Sequence, residues 1–135
     1  MTEITINRLE NVNSGIAVNT HTCASKNGVI VFDWNQRDDK VLVVAENTGT
    51  SSVKLTFAEG NGIAGKNKEE NLTWSGDAVT AVGTDCDVCE ITVPASSTVA
   101  IALESSRFKW VSGKLKGKVL AVASAALKIC AISEP

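Results

Sequence analysis

This chain of 135 residues has no tyrosine, one methionine and one histidine. The histidine, His21, sits between threonines, so a nucleophilic triad has a single available base and no signature around it. A Gly-x-Ser-x-Gly elbow, a His-Glu-x-x-His pair and a phosphate-binding loop are all absent. Asp38 and Asp39 point to opposite sides of an extended chain. Asp85 and Asp87 share a face but read as solvated loop carboxylates. These absences argue against an enzyme. No apolar run approaches the length of a membrane span, and Met1 to Glu10 lacks the apolar segment of a secretory signal. The chain is therefore expected to fold in a cytosol, where the sequon Asn71-Leu72-Thr73 carries little weight.

Acid is missing from one region. Fourteen of the fifteen acids precede residue 105, whereas 105–133 holds none and carries Arg107, Lys109, Lys114, Lys116, Lys118 and Lys128. Lysines on exposed strands discourage edge-to-edge aggregation, and that is the simpler reading of this stretch. The functional reading is a patch that attracts an acidic protein surface or nucleic acid. A net charge of −2 is too small to imply a partner by itself.

What is present is alternation. Lys40 to Ala45, Val53 to Phe57, Ile91 to Val93, Val99 to Leu103 and Lys118 to Ile132 are short, mostly alternating apolar runs closed by turn residues. The pattern predicts strands with one buried face, packed as a single antiparallel β-sandwich with immunoglobulin-like or related topology. At this length and with 44% hydrophobic residues, one domain over 1–135 can bury its own core. Asn27-Gly28 signals a hairpin, because both residues accept positive φ. Val29 to Trp34 is too continuously apolar for a one-sided strand and is placed in the middle of the fold. Asn35 to Asp39 is a polar turn, and Asn47 to Thr50 is expected to join its flanking strands as a hairpin. Glu104 to Lys109 is the one candidate for a helical turn. About 59–90 reads as a long loop rich in glycine and charge, or an extra hairpin with strands at Leu72 to Trp74 and Val79 to Val82.

The cysteines are the sharpest local feature. Cys86-Asp87-Val88-Cys89 is a C-x-x-C pair, and His21-Thr22-Cys23 supplies a second pair far away in sequence. Together they form a weak candidate for a structural zinc site, which needs the first hairpin to lie beside residue 86. The residues after Cys89 look like a strand, which disfavours thioredoxin-like chemistry at a helix N-terminus. Unliganded, mostly buried thiols are the favoured reading, ahead of zinc and then of a disulfide, with Cys130 in the core, and no cofactor is expected. Of the three tryptophans, Trp34 closes an apolar run and reads as core. Trp74 and Trp110, if exposed, are candidate anchors for a protein interface alongside Arg107, Lys109, Lys114 and Lys116.

One resemblance sharpens this picture. Asn27-Gly28-Val29, Arg37-Asp38-Asp39-Lys40, Val44-Ala45-Glu46-Asn47-Thr48, Glu59-Gly60-Asn61-Gly62, Val93-Pro94-Ala95, Leu103-Glu104-Ser105-Ser106-Arg107-Phe108 and Gly117-Lys118-Val119 follow one another in a characteristic order. In this order the chain resembles small virion structural proteins of tailed bacteriophages and prophages, over about three quarters of its length, with 65–90 as an insertion. The resemblance implies a capsid-decoration or minor head protein, made in the host cytoplasm, that docks on the major capsid or another virion protein. It is compatible with homo-oligomers and involves neither membrane nor nucleic acid. The rival expectations are a carbohydrate- or surface-binding module of a tail or fibre, and a small zinc-stabilised nucleic-acid-binding domain.

Overall fold

Strand-forming runs of Val, Ile and Leu become twelve strands in the computed structural model, which describes residues 1–23, 28–34, 41–62 and 68–134. They are β1 (Thr2–Thr5), β2 (Asn7–Arg8), β3 (His21–Cys23), β4 (Gly28–Asp33), β5 (Val41–Asn47), β6 (Val53–Ala58), β7 (Leu72–Ser75), β8 (Ala78–Val82), β9 (Val88–Val93), β10 (Ser97–Ala102), β11 (Lys118–Ala123) and β12 (Leu127–Ser133). A one-turn helix, α1 (Ser105–Phe108), falls inside the segment where the sequence allowed one, and a 3-10 turn over Glu69–Asn71 falls outside it.

The first sheet has the order β1-β4-β11-β6-β9, and the second β10-β5-β12-β2 with β3 also on β12. Most pairs are antiparallel, but β1 lies parallel to β4 and β2 parallel to β12. The expectation of a purely antiparallel arrangement is corrected on this point. Alternation specifies which face a strand buries and says nothing about the direction of its neighbour. The sheets are mixed and open, with β9, β10 and β1 at their edges.

The inward rows of both sheets fill one core. Ile30, Phe32, Leu55, Phe57, Val119 and Ala121 come from the first sheet; Val43, Ala45, Ile101, Ile129 and Ala131 come from the second. Phe32 stacks on Phe57 at 5.9 Å between ring centroids and meets Trp34 edge-on at 6.3 Å. A second core lies on the outer side of the first sheet, where Val29, Val31, Ala58 and Leu120 pack under Leu72, Val79, Trp110 and Leu115. The continuous apolar run 29–34 thus has a direct cause. Strand β4 is buried on both faces, one by the second sheet and the other by the β7–β8 hairpin and the 110–117 turn.

The 47–50 link, which read as a hairpin, is a crossing between sheets, and other short links cross in the same way. Strand β5 belongs to the second sheet and β6 to the first; β9 and β10, and likewise β11 and β12, are divided in the same way. The turn 47–52 does not join hydrogen-bonded neighbours. It is held by buried Asn47, whose Nδ2 donates to Ser51 O (2.8 Å) and Val93 O (3.1 Å) and whose Oδ1 accepts from Gly49 N at 2.9 Å. The adjacent turn leans on the same corner through Ser96 N to Gly49 O. Strands β3 and β4 also lie in different sheets, although the Asn27 turn itself, like the 35–40 turn and Lys40, falls outside the described residues. Among the described residues only β7 and β8 make a hairpin of consecutive strands, with a register shift between Thr73 and Trp74.

Asn47→Ala removes three hydrogen bonds from a buried corner and should destabilise the fold by about 2–3 kcal/mol in urea unfolding. Asn47→Asp should be no better, since a carboxylate cannot donate to Ser51 or Val93. Near-native stability for Asn47→Asp would contradict the clamp.

Candidate docking surface

The residues that the sequence singled out lie mostly around the 107–118 segment, but their roles divide. Phe108 and Trp110 point inward, which makes the chain double back over residues 110–118. Trp110 N donates to Lys118 O, Gly117 N donates to Trp110 O, and Gly113 and Gly117 both adopt positive φ. A Cβ at 113 would also displace the Glu69 carboxylate from its place against the turn. That carboxylate in turn accepts the Lys114 backbone N–H at 2.9 Å. Trp110 is only 1% exposed and belongs to the outer core. The expectation that it is an exposed anchor is corrected: its side chain fills the space between the first sheet and the turn that covers it.

Arg107 also turns out to serve the interior. Its Nε lies 3.2 Å from Oε2 of Glu59, and its Nη2 lies 3.7 Å from Oδ2 of Asp87. Glu59 is a carboxylate buried at 1% exposure. Burying a carboxylate is costly unless a cation and hydrogen bonds accompany it, and Arg107 supplies the cation. Backbone bonds support the same junction, from Glu59 N to Asp87 O and from Gly60 N to Arg107 O. Gly60 runs so close to Lys109 O that any Cβ would clash with it. Asn61 completes the clasp by accepting from Val111 N and donating to the Ser112 hydroxyl. The Glu59-Gly60-Asn61-Gly62 punctuation is therefore a lock between two loops. The sequence read Arg107 as an outward charge because its partners lie 48 and 20 positions away.

Lys109 is half-buried beside Val119. Lys114 and Lys116 are exposed. Lys114 and Trp74 do come together, with the ammonium 5.0 Å from the indole ring centroid. They border an open groove of about 330 Å³, closed on its other sides by Met1, Leu115, Asp77 and Lys118. Lys118 reaches Glu3 at 3.9 Å, an exposed ion pair of small energetic weight. The groove unites an aromatic wall with both signs of charge, a composition suited to binding polar surfaces. Among the described residues, no helix is long and apolar enough to cross a membrane.

The four proposed zinc ligands are not gathered into a site. Cys23 is buried in the main core opposite Leu127, and half-buried His21 pairs with Ile129 along the same strand. Cys89 packs on the main core, whereas Cys86 packs on the outer one. The C-x-x-C thiols thus face opposite sides of the first sheet, because Cys86 precedes β9 and Cys89 alternates within it. Among the described residues, no three His, Cys, Asp or Glu side chains are grouped to hold a metal. All four cysteines are free thiols. Burial pushes the Cys23, Cys86 and Cys130 thiols above the usual range, and for Cys86 the Glu59 charge adds to the effect. Cys130 is buried as expected, but it lies in the outward row of β12 and not in the main core.

Comparisons with protein-family models, with curated proteins and with solved structures found no match.

Two measurements check this geometry. Arg107→Met should lower stability by about 1–3 kcal/mol, reduced from the full value for a buried pair because the guanidinium is partly solvated. Replacing Glu59 by Gln in the same chain should restore part of the loss, and no recovery would contradict the clasp. For the thiols, burial shields Cys23 in the main core and its raised pKa leaves less thiolate at any given pH. Cys23 should therefore react with a disulfide reagent at pH 8 only through opening of the fold, and more slowly than half-buried Cys86 and Cys89. Rapid native-state labelling of all four cysteines would contradict their placement.

Proposed function

We propose that this chain is a non-enzymatic structural subunit of a bacteriophage virion, docked on the outside of the capsid. In this reading the two sheets are the layers of a β-sandwich, immunoglobulin-like or related in topology, with parallel pairings added by its N-terminal strands. The observation that carries the proposal is how the polar residues are used. Glu59, Arg107, Asn47 and Asn61 are engaged in joining loops, while Lys114 and Lys116 project from a tight turn packed on the outer core. A rigid β scaffold that presents a basic turn suits docking on an acidic surface, and many symmetric copies convert weak contacts into secure attachment.

One observation favours a second reading. Half-buried Trp74 walls an open groove that also holds Asp77 and Glu3, which would suit a sugar of a cell-surface polysaccharide and a place on the tail or its fibres.

The test mixes purified protein with capsids that lack it and follows occupancy across a salt series. Lys114→Glu with Lys116→Glu should slow association by about tenfold at low salt and converge with the unaltered protein at high salt. Lys109 and Arg107 are left in place, because one is half-buried and the other is held by Glu59. Absence of capsid binding, together with retention on polysaccharide or on isolated tails, would replace the first reading by the second.

A further inference from the structure

Among the described residues, the second sheet is flanked by two stretches of backbone without a strand partner, an edge strand on one side and a loop on the other. On one side is β10, Ser-Thr-Val-Ala-Ile-Ala, which pairs with β5 and has no described strand beyond it. It carries no charge and no proline, the usual guards of an edge. The other outer strands of the first sheet are guarded: β9 carries Glu90, paired with Lys54 at 3.4 Å, and β1 carries Glu3, paired with Lys118. The outward row beside β10 is apolar over its second half, where Ala100 and Ala102 lie next to Val44 and exposed Leu42, and polar at its start, where Thr98 lies next to Glu46.

On the opposite side, the chain leaves β12 after Arg8 and returns to it at His21. The excursion is pinched shut by Asn7, whose side chain donates to Ala131 O at 3.0 Å and accepts from Asn19 N at 3.2 Å. Such a closed excursion is an Ω-loop. Residues 11–20 are exposed throughout, and Gly15 to Val18 make no hydrogen bond among the described residues. Ile16 and Val18 alternate at 38% exposure each, as in a strand without a partner. The loop from Asn11 to Thr20 is uncharged, like β10.

We propose that the Gly15–Asn19 segment of one copy adds as a strand to β10 of a second copy, so that the second sheets continue from molecule to molecule. Each chain carries both halves of the contact on opposite sides of one sheet. That arrangement makes the association head-to-tail, and therefore capable of closing into a ring. Affinity would come from main-chain hydrogen bonds and register from the β-branched Ile16 and Val18. The inference does not depend on which virion surface, if any, the protein meets.

Sedimentation velocity from about 1 to about 100 µM tests it, over the range where a weak specific contact becomes populated. The unaltered protein should gain mass with concentration. Val18→Asp on the loop and Ala100→Lys on the edge should each weaken association at least tenfold, with melting temperatures unchanged because both side chains lie at the surface. Mixing the two variants should restore a dimer and nothing larger, since each retains one intact half of the contact. Amide hydrogen exchange in residues 15–19 and 97–102 should slow together as concentration rises. A protein monomeric over the whole range, or a Val18→Asp variant that associates like the unaltered chain, would overturn the proposal.

Discussion

The structure depends on burying the first sheet on both faces. Strands β4 and β11 carry apolar residues in both rows: Ile30 and Phe32 with Val29 and Val31, and Val119 and Ala121 with Leu120. A sheet of this composition cannot leave its outer face to water. At about 25 cal/mol per Å² of apolar surface, each large side chain left exposed would forgo about 2 kcal/mol. The β7–β8 hairpin and the 110–117 turn meet this requirement by laying Leu72, Val79, Trp110 and Leu115 over the outer row. What looks like an insertion in the sequence is thus the third layer of the fold.

That requirement also explains how the polar chemistry is distributed. For the third layer to sit flat, the chain must leave β6, run past α1 and return into β9. The junction of these segments is where Glu59, Asp87 and Arg107 meet and where Gly60 passes against Lys109. A buried carboxylate there joins two loops that are distant in sequence. The same segment that looked most like an electrostatic docking patch is partly consumed in this way. Within the 110–117 turn the outward charge is carried by Lys114, on the rim of the Trp74 groove, and by Lys116.

The sequence made the strands legible because period-two alternation is a direct consequence of one buried face. Even the exception, the continuous run 29–34, correctly marked a strand covered on both sides. Connectivity was not legible. Turns such as Asn47 to Thr50 serve equally to reverse a chain within a sheet or to carry it across to the next one, and the deciding interaction, Asn47 with Val93 O, spans 46 positions. Parallel pairing of β1 and β2 leaves no trace in alternation either. Among the candidate site residues, Lys114 and Trp74 came together as a plausible surface pair, but nothing in the spacing signals that Trp110 points inward or that Arg107 has a buried partner. Local residue type cannot distinguish a cation facing solvent from one facing a buried glutamate.

Native-state amide hydrogen exchange tests the two-faced burial most directly. If the third layer is integral to the fold, amides of β7 and β8 should exchange through the same global opening as those of β4 and β11, with closely similar opening free energies. Val79→Asp, which places a charge in the outer core, should then accelerate exchange in all four strands together. Rapid exchange confined to β7 and β8, with β4 and β11 still fully protected in that variant, would contradict the account.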